Sequence, residues 1–227
     1  MNIQENLKNV CESIAAAAKR SGRNPGDVKL IAVSKTYPAE DMLEAYRWGA
    51  ASFGENRVQE MCEKRPCLPE DAEIHLIGHL QTNKVKQAVK NACMIHSVDS
   101  VRLAEEISKA ALKEGIEMPI LLQVNIADDD AKFGLRADEL ENTLKQVSKL
   151  PGVVLKGLMT VPAIETDRET TRSYFRSLHE LFEKYREEYN LTELSMGMSG
   201  DYEIAVEEGA TMVRVGSKIF GARNYNV

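Results

Sequence analysis

The chain has 227 residues, of which 43% are hydrophobic and 28% charged, with a formal net charge of −6. A chain of this size and balance closes one core without disulfide staples. The acidic excess argues against a broad basic face for nucleic acid, but leaves room for a local pocket around one phosphate.

In chain order, a helical stretch over about Ile3–Lys19 comes first and ends before Gly22. It carries Glu5, Lys8, Glu12 and Lys19 along its length and has no compact apolar segment, so it reads as neither a signal peptide nor an anchor. Short apolar runs bounded by polar or turn residues then recur as candidate strands: Val28–Val33, Ala50–Phe53, Ile74–Ile77, Met94–Val98, Ile120–Ile126, Val153–Val161, Glu193–Met198 and Thr211–Val215. Helix-period segments separate them. Ala39–Trp48 stops at Gly49; Ser100–Lys113 aligns Val101, Ala104, Ile107 and Ala111 and stops at Gly115. Asp138–Leu150 repeats Leu140, Leu144 and Val147 before Pro151-Gly152, and Arg168–Tyr189 repeats Tyr174, Leu178, Leu181 and Tyr185. A further helix starts near Tyr202.

Strand and helix alternate throughout, which predicts a parallel sheet with crossover helices. About eight such units favour an α/β fold closed as a single (β/α)8 TIM-type barrel over an open doubly wound sheet. The barrel is expected to form one domain over 1–227, with the first helix as an extra element. No apolar run approaches the roughly 20 residues of a membrane span. Cys11, Cys62, Cys67 and Cys93 form no C-x-x-C pair and read as free thiols of a reducing, cytoplasmic compartment. Zinc is the weaker alternative, and no metal site is expected.

In such a barrel, ligand groups come from the C-terminal ends of the strands. Lys35 directly follows the first run: its amine either sits desolvated in the mouth, as a nucleophile toward aldehydes, or leaves the strand for solvent. Gly54-Glu55-Asn56-Arg57 is a polar loop after the second run. Gly78-His79-Leu80-Gln81-Thr82-Asn83-Lys84 follows the third, where His79 and Asn83 are candidate ligand contacts and Thr82 or Asn83 an alternative helix cap. His96 and Asp99 end the fourth run. The triplet Asp128, Asp129 and Asp130 lacks the glycine and distal Glu of a calcium loop and reads as solvated; Lys132 beside it is a second candidate amine.

The last two units carry most information. Ser195-Met196-Gly197-Met198-Ser199-Gly200-Asp201 leads small residues into a helix start, and Gly216-Ser217 repeats this after the last run, the recurrent phosphate position of this barrel. Alternation points Arg214 inward, where it needs a partner: a ligand ring nitrogen or carboxylate, or a structural ion pair. An amine at the first strand and a phosphate site at the seventh and eighth are neighbours in a closed barrel. An aldehyde and a phosphate on one small molecule describe pyridoxal 5′-phosphate (PLP). A phosphosugar enzyme with Lys35 as its Schiff-base lysine is the other reading.

Ala32-Val33-Ser34-Lys35-Thr36, Phe53-Gly54-Glu55-Asn56, His75–Lys84, Gly157-Leu158-Met159-Thr160, Leu194–Ser199 and Val213-Arg214-Val215-Gly216-Ser217 with Ile219-Phe220-Gly221 together resemble the pyridoxal phosphate homeostasis protein family. The resemblance implies a fold-type III PLP barrel similar to the N-terminal domain of alanine racemase, with a Schiff base on Lys35. It implies that Ser199, Gly216 and Ser217, with backbone help near Met198, hold the phosphate, that Arg214 faces the pyridine nitrogen and that Asn56 lies near the ring. An arginine there donates to the nitrogen and leaves the ring a weaker electron sink. The family is regarded as a carrier or homeostasis factor without established turnover, which implies no catalytic residues; a weak racemase-like enzyme is the alternative. Alanine racemase adds a second β domain and takes a catalytic tyrosine from its partner subunit; with the chain ending at Val227 no such domain is expected here, and a second acid/base is not visible. The expected partners are PLP and PLP-dependent apo-enzymes, and the expected state is a monomer. Tyr37 stands where many relatives have a further lysine.

Overall fold

The computed structural model describes residues 2–129, 131–162 and 167–222. Eight parallel strands close a barrel in sequence order: β1 (Lys29–Val33), β2 (Ser52–Glu55), β3 (Glu73–Leu76), β4 (Met94–Val98), β5 (Met118–Gln123), β6 (Val153–Met159), β7 (Glu193–Ser195) and β8 (Met212–Val215). Closure runs through β1 against β8, with Ile31 opposite Arg214 and Ala32 opposite Val215. The (β/α)8 TIM-type architecture anticipated from the alternation is therefore the observed one. No helix among the described residues is long and apolar enough to cross a membrane.

Helices α1 (Ile3–Arg20), α2 (Ala39–Arg47), α3 (Val58–Lys64), α4 (Val85–Asn91), α5 (Val101–Glu114), α6 (Leu140–Val147), α7 (Arg168–Tyr189), α8 (Tyr202–Glu207) and α9 (Ser217–Phe220) surround it. The leading helix is less of an extra than its position suggests. The helix following β8, α9, is only four residues long, and α1 packs against α8, α9 and α2. It buries Ile3, Leu7, Val10, Ile14, Ala17 and Ala18, and Asn6 Nδ2 donates to the Ile219 carbonyl at 2.9 Å. The first helix thus fills the eighth place in the outer ring.

Several sequence expectations shift on inspection. β2 lies two residues later than the apolar run, because the buried Glu55 extends it. β5 begins at Met118, paired with Val153. The helices α3 and α4 had no assignment; at seven residues each they are too short to show a period. Neither Thr82 nor Asn83 caps α4, since both belong to a 3-10 turn in front of it. The buried stripe of α7 is Thr171, Phe175, Leu178, Phe182 and Tyr185, one residue round from the Tyr174–Leu181 register for half of its length. Asp130 and residues 223–227 lie outside the described residues.

Strand alternation divides the core into two layers. Outward side chains such as Phe53, Leu122, Leu158, Leu194, Val213 and Val215 join the helices in one large apolar cluster. Inward side chains Ile31, Met94, Leu121, Met159 and Met212 form a small separate one inside the barrel. Above that cluster the interior mixes polar groups such as Arg214 and Ser195 with Val33 and Ile77, and that end carries the site.

Candidate functional site

A cavity of about 440 Å³ opens at the C-terminal ends of the strands, within the range of small-molecule sites. It is lined by Lys35, Asn56, Met198, Ser199, Arg214, Gly216 and Ser217, with Val33, Ile77, Val161 and Gly200. The seven residues expected around the cofactor therefore meet around one space. His79, Asp99 and Lys132 do not line it. His79 Nδ1 is 3.3 Å from Asp99 Oδ2 and its ring stacks on Phe133 at 3.9 Å, while Lys132 Nζ donates to the Pro162 carbonyl at 3.1 Å.

Lys35 reaches the cavity because Ile31, Val33 and Lys35 share the inward face at the end of β1. The intervening Ser34 points outward, into a buried polar cluster behind the lysine. Ser34 Oγ donates to Glu55 Oε1 at 2.7 Å, and Lys64 Nζ reaches Glu55 Oε1 at 2.8 Å, Glu60 Oε1 at 2.6 Å and the Ser34 carbonyl at 2.8 Å. Glu60 in turn accepts the Thr36 N–H at 2.6 Å. This holds Thr36 at φ +69°, a left-handed turn that a β-branched residue rarely adopts. The backbone on both sides of Lys35 is thus clamped from the helix side. Burial pushes the Glu55 carboxyl up, and Lys64 and Ser34 pull it back. Sequence reading passed over Lys64 and Glu60, which lie in an unassigned helix; the usable signal was Glu55, a carboxylate ending a strand.

Asn56 is set by a close approach between strand ends. Gly78, just past β3, packs against the Asn56 backbone so tightly that any Cβ would overlap it. On the opposite side, Gly197 adopts φ +91° and leaves no space for a Cβ beside Ala205 and Tyr202, which lets the chain turn from β7 into α8. The Gly216 N–H donates to Ser199 Oγ at 3.1 Å, so the loops after β7 and β8 are joined. Met198 borders the cavity, but its N–H is engaged by Asp201 Oδ1 at 2.5 Å.

Arg214 lies beneath these loops at 3% exposure. Its guanidinium donates to Ser195 Oγ at 2.6 Å and to the Thr160 carbonyl at 2.8 Å. Both partners are neutral; the charge of Asp201 acts on Arg214 from a distance, and among the described residues no carboxylate comes within ion-pair reach of it. Burial brings its pKa down to about 10, still far enough above neutrality to keep the charge. The structural ion pair considered for Arg214 is therefore not what the structure provides. A hydrogen-bonded chain continues below it: Ser195 Oγ to His96 Nδ1 at 3.0 Å, then His96 Nε2 to His75 Nδ1 at 2.9 Å. Burial, with His75 and Arg214 nearby, holds His96 well below its ordinary pKa, and burial lowers His75 as well. His96, expected as a polar group at a strand end, thus belongs to the support of Arg214 rather than to the cavity wall.

The chain matches known proteins over nearly all of its length. The family described as "Alanine racemase, N-terminal domain" matches residues 5–224. A "Pyridoxal phosphate homeostasis protein" of Aquifex aeolicus is 44% identical over 228 residues, 99% of this chain and 100% of that one. PipY of Synechococcus elongatus, in a structure with PLP bound, superposes with a TM-score of 0.86 at 39% identity, covering 97% of this chain and 100% of PipY. Alanine racemase of Clostridium difficile superposes at 0.76 with 17% identity, covering 98% of this chain and 61% of the racemase; at that identity the likeness concerns the fold alone.

Proposed function

The chain belongs to the alanine racemase N-terminal-domain family, among the pyridoxal phosphate homeostasis proteins, and from that premise we propose that it binds PLP through a Schiff base to Lys35 and buffers it, without substrate turnover. One observation carries the reading. A single cavity gathers an inward amine, a buried cation hydrogen-bonded to two neutral groups, and two joined loops of hydroxyl and amide groups. PLP supplies an aldehyde that condenses with a primary amine and releases water. Each part of the cofactor has a counterpart. Lys35 would take the aldehyde, Ser199, Gly216 and Ser217 the phosphate, Arg214 the ring nitrogen, and Asn56 a place beside the ring.

Arg214 also argues for binding rather than catalysis. A permanently charged donor at the ring nitrogen would leave that nitrogen unprotonated, which weakens electron withdrawal. Racemisation further needs a proton-transfer group on each face of the bound amino acid, and among the described residues no such pair lines the cavity. The partners in this reading are PLP and the apo-forms of PLP-dependent enzymes in the cytoplasm. We read the protein as a monomer: its largest exposed apolar side chains, Trp48 and Phe133, follow α2 and β5 and so lie at opposite ends of the barrel. Adding PLP to the purified protein is expected to give a visible band that saturates at one equivalent and resists dialysis. D- and L-alanine should show no interconversion. Saturable turnover of either would contradict the carrier reading.

A further inference from the structure

At the opposite end of the barrel, far from the cavity, Glu73, His75 and Cys93 bring a carboxylate, an imidazole and a thiol within 4.8 Å of one another. Glu73 and His75 are two residues apart on β3, so they share its inward face. Cys93 stands at the foot of β4, fixed by its N–H bond to the Ile74 carbonyl at 2.8 Å. We propose that these three side chains form a binding site for one zinc-class divalent cation, with water as the fourth ligand.

The second observation is the state of His75. The residue is 1% exposed, and its Nε2 atom makes no hydrogen bond of good geometry: its near neighbour is Glu73 Oε2, a long contact at 3.5 Å. A buried ring nitrogen held only by a long contact to a carboxylate, with a thiol beside it, is under-satisfied, and a cation between the three groups would satisfy it. The other ring nitrogen, Nδ1, already faces His96 Nε2 at 2.9 Å. Metal-bound histidines have this arrangement, with the second nitrogen held by a hydrogen bond that fixes the tautomer. Donor set and spacing agree. Zinc takes nitrogen, sulfur and oxygen ligands at about 2.0–2.3 Å, so the three atoms need to close by only about 1 Å. A cleft of about 380 Å³ lined by Lys29, Ser52 and Glu73 borders the carboxylate, and Cys93 is itself exposed.

Lys29 is the built-in competitor. Its Nζ sits 3.0 Å from Glu73 Oε2, which also accepts Ser52 Oγ at 2.6 Å. The Lys29 side chain is 43% exposed and can withdraw as the cation arrives. Binding converts the Cys93 thiol to a metal-bound thiolate and releases its proton to solvent. With the cation on His75 Nε2, the proton of His75 lies on Nδ1 and donates to His96 Nε2. His96 then carries its own on Nδ1, toward Ser195 Oγ. The site thereby fixes the polarity of the chain that ends at Arg214. The inference does not depend on the cofactor reading.

The test uses the full chain, stripped with chelator and dialysed against zinc, with metal measured by atomic emission and the thiolate band measured after cobalt substitution. One equivalent per chain is expected. Cys93→Ser and Glu73→Gln, each checked for a native circular dichroism spectrum, should weaken binding by about tenfold or more, and Cys93→Ser should abolish the cobalt–thiolate band. Lys29→Met should tighten binding. Absence of stoichiometric uptake would overturn the proposal. So would uptake and a thiolate band that survive Cys93→Ser, because the metal would then sit on another cysteine. Weaker binding in Lys29→Met would also contradict it.

Discussion

The two faces of the eight-stranded sheet follow different rules. The outward face meets the helices in a continuous apolar layer, where Phe53, Phe175, Leu158 and Leu194 are fully buried. The inward face is divided between a small apolar cluster and the polar chain from Arg214 through Ser195 and His96 to His75. Hydrophobic burial is non-directional and tolerates exchange of like for like, so the outer layer secures the fold. Buried polar groups must be matched one by one, so the inner layer is where residue identity is tied to a particular chemistry. The cluster of Ser34, Glu55 and Lys64 is the exception. It lies on the helix side, yet it serves the mouth by clamping the backbone around Lys35.

This contrast can be broken by substitution. Phe175→Ala, in the outer layer, should lower stability most, by about 3–5 kcal/mol, while leaving the folded fraction able to bind PLP; urea denaturation with and without cofactor checks both. Lys64→Met strands the buried Glu55 carboxylate and should cost about 3 kcal/mol. Adding Glu55→Gln should recover most of that loss, and failure to recover would show that the pair does not act as a unit. Arg214→Met leaves the Thr160 carbonyl and Ser195 hydroxyl without their donor, for a loss of about 1–2 kcal/mol. Its larger effect should be on PLP retention in equilibrium dialysis. The smallest change in stability belongs to Lys35→Ala. The half-buried side chain supports little packing, so apo-protein stability should stay within about 0.5 kcal/mol of the parent. A collapse of the apo mutant would mean that Lys35 is part of the scaffold.

The outer layer was also the legible one. Helix periods and short apolar runs gave the alternation, and eight units gave closure; α7 was placed at Arg168–Tyr189 and β4 at Met94–Val98, as observed. Arg214 was legible as inward because Val213 and Val215 flank it. Its partners were not, since Ser195 and Thr160 come from other strands and only the barrel's register brings them together. The same holds for the pairing of His75 with His96, 21 residues apart. Lys64 escaped for a different reason: a seven-residue helix shows too little period to reveal that its lysine points at the sheet rather than at solvent. That α1 substitutes for the eighth outer helix is likewise a consequence of closure, which no local pattern encodes.

In the proposed binding mode the inward amine of Lys35 takes the cofactor. The most direct test is to load the protein with PLP, reduce it with borohydride and map the modified peptide. One reduced adduct per chain is expected, on Lys35, with the visible band lost on reduction. An adduct on Lys132 or another lysine, or no band at all after PLP is added, would contradict it.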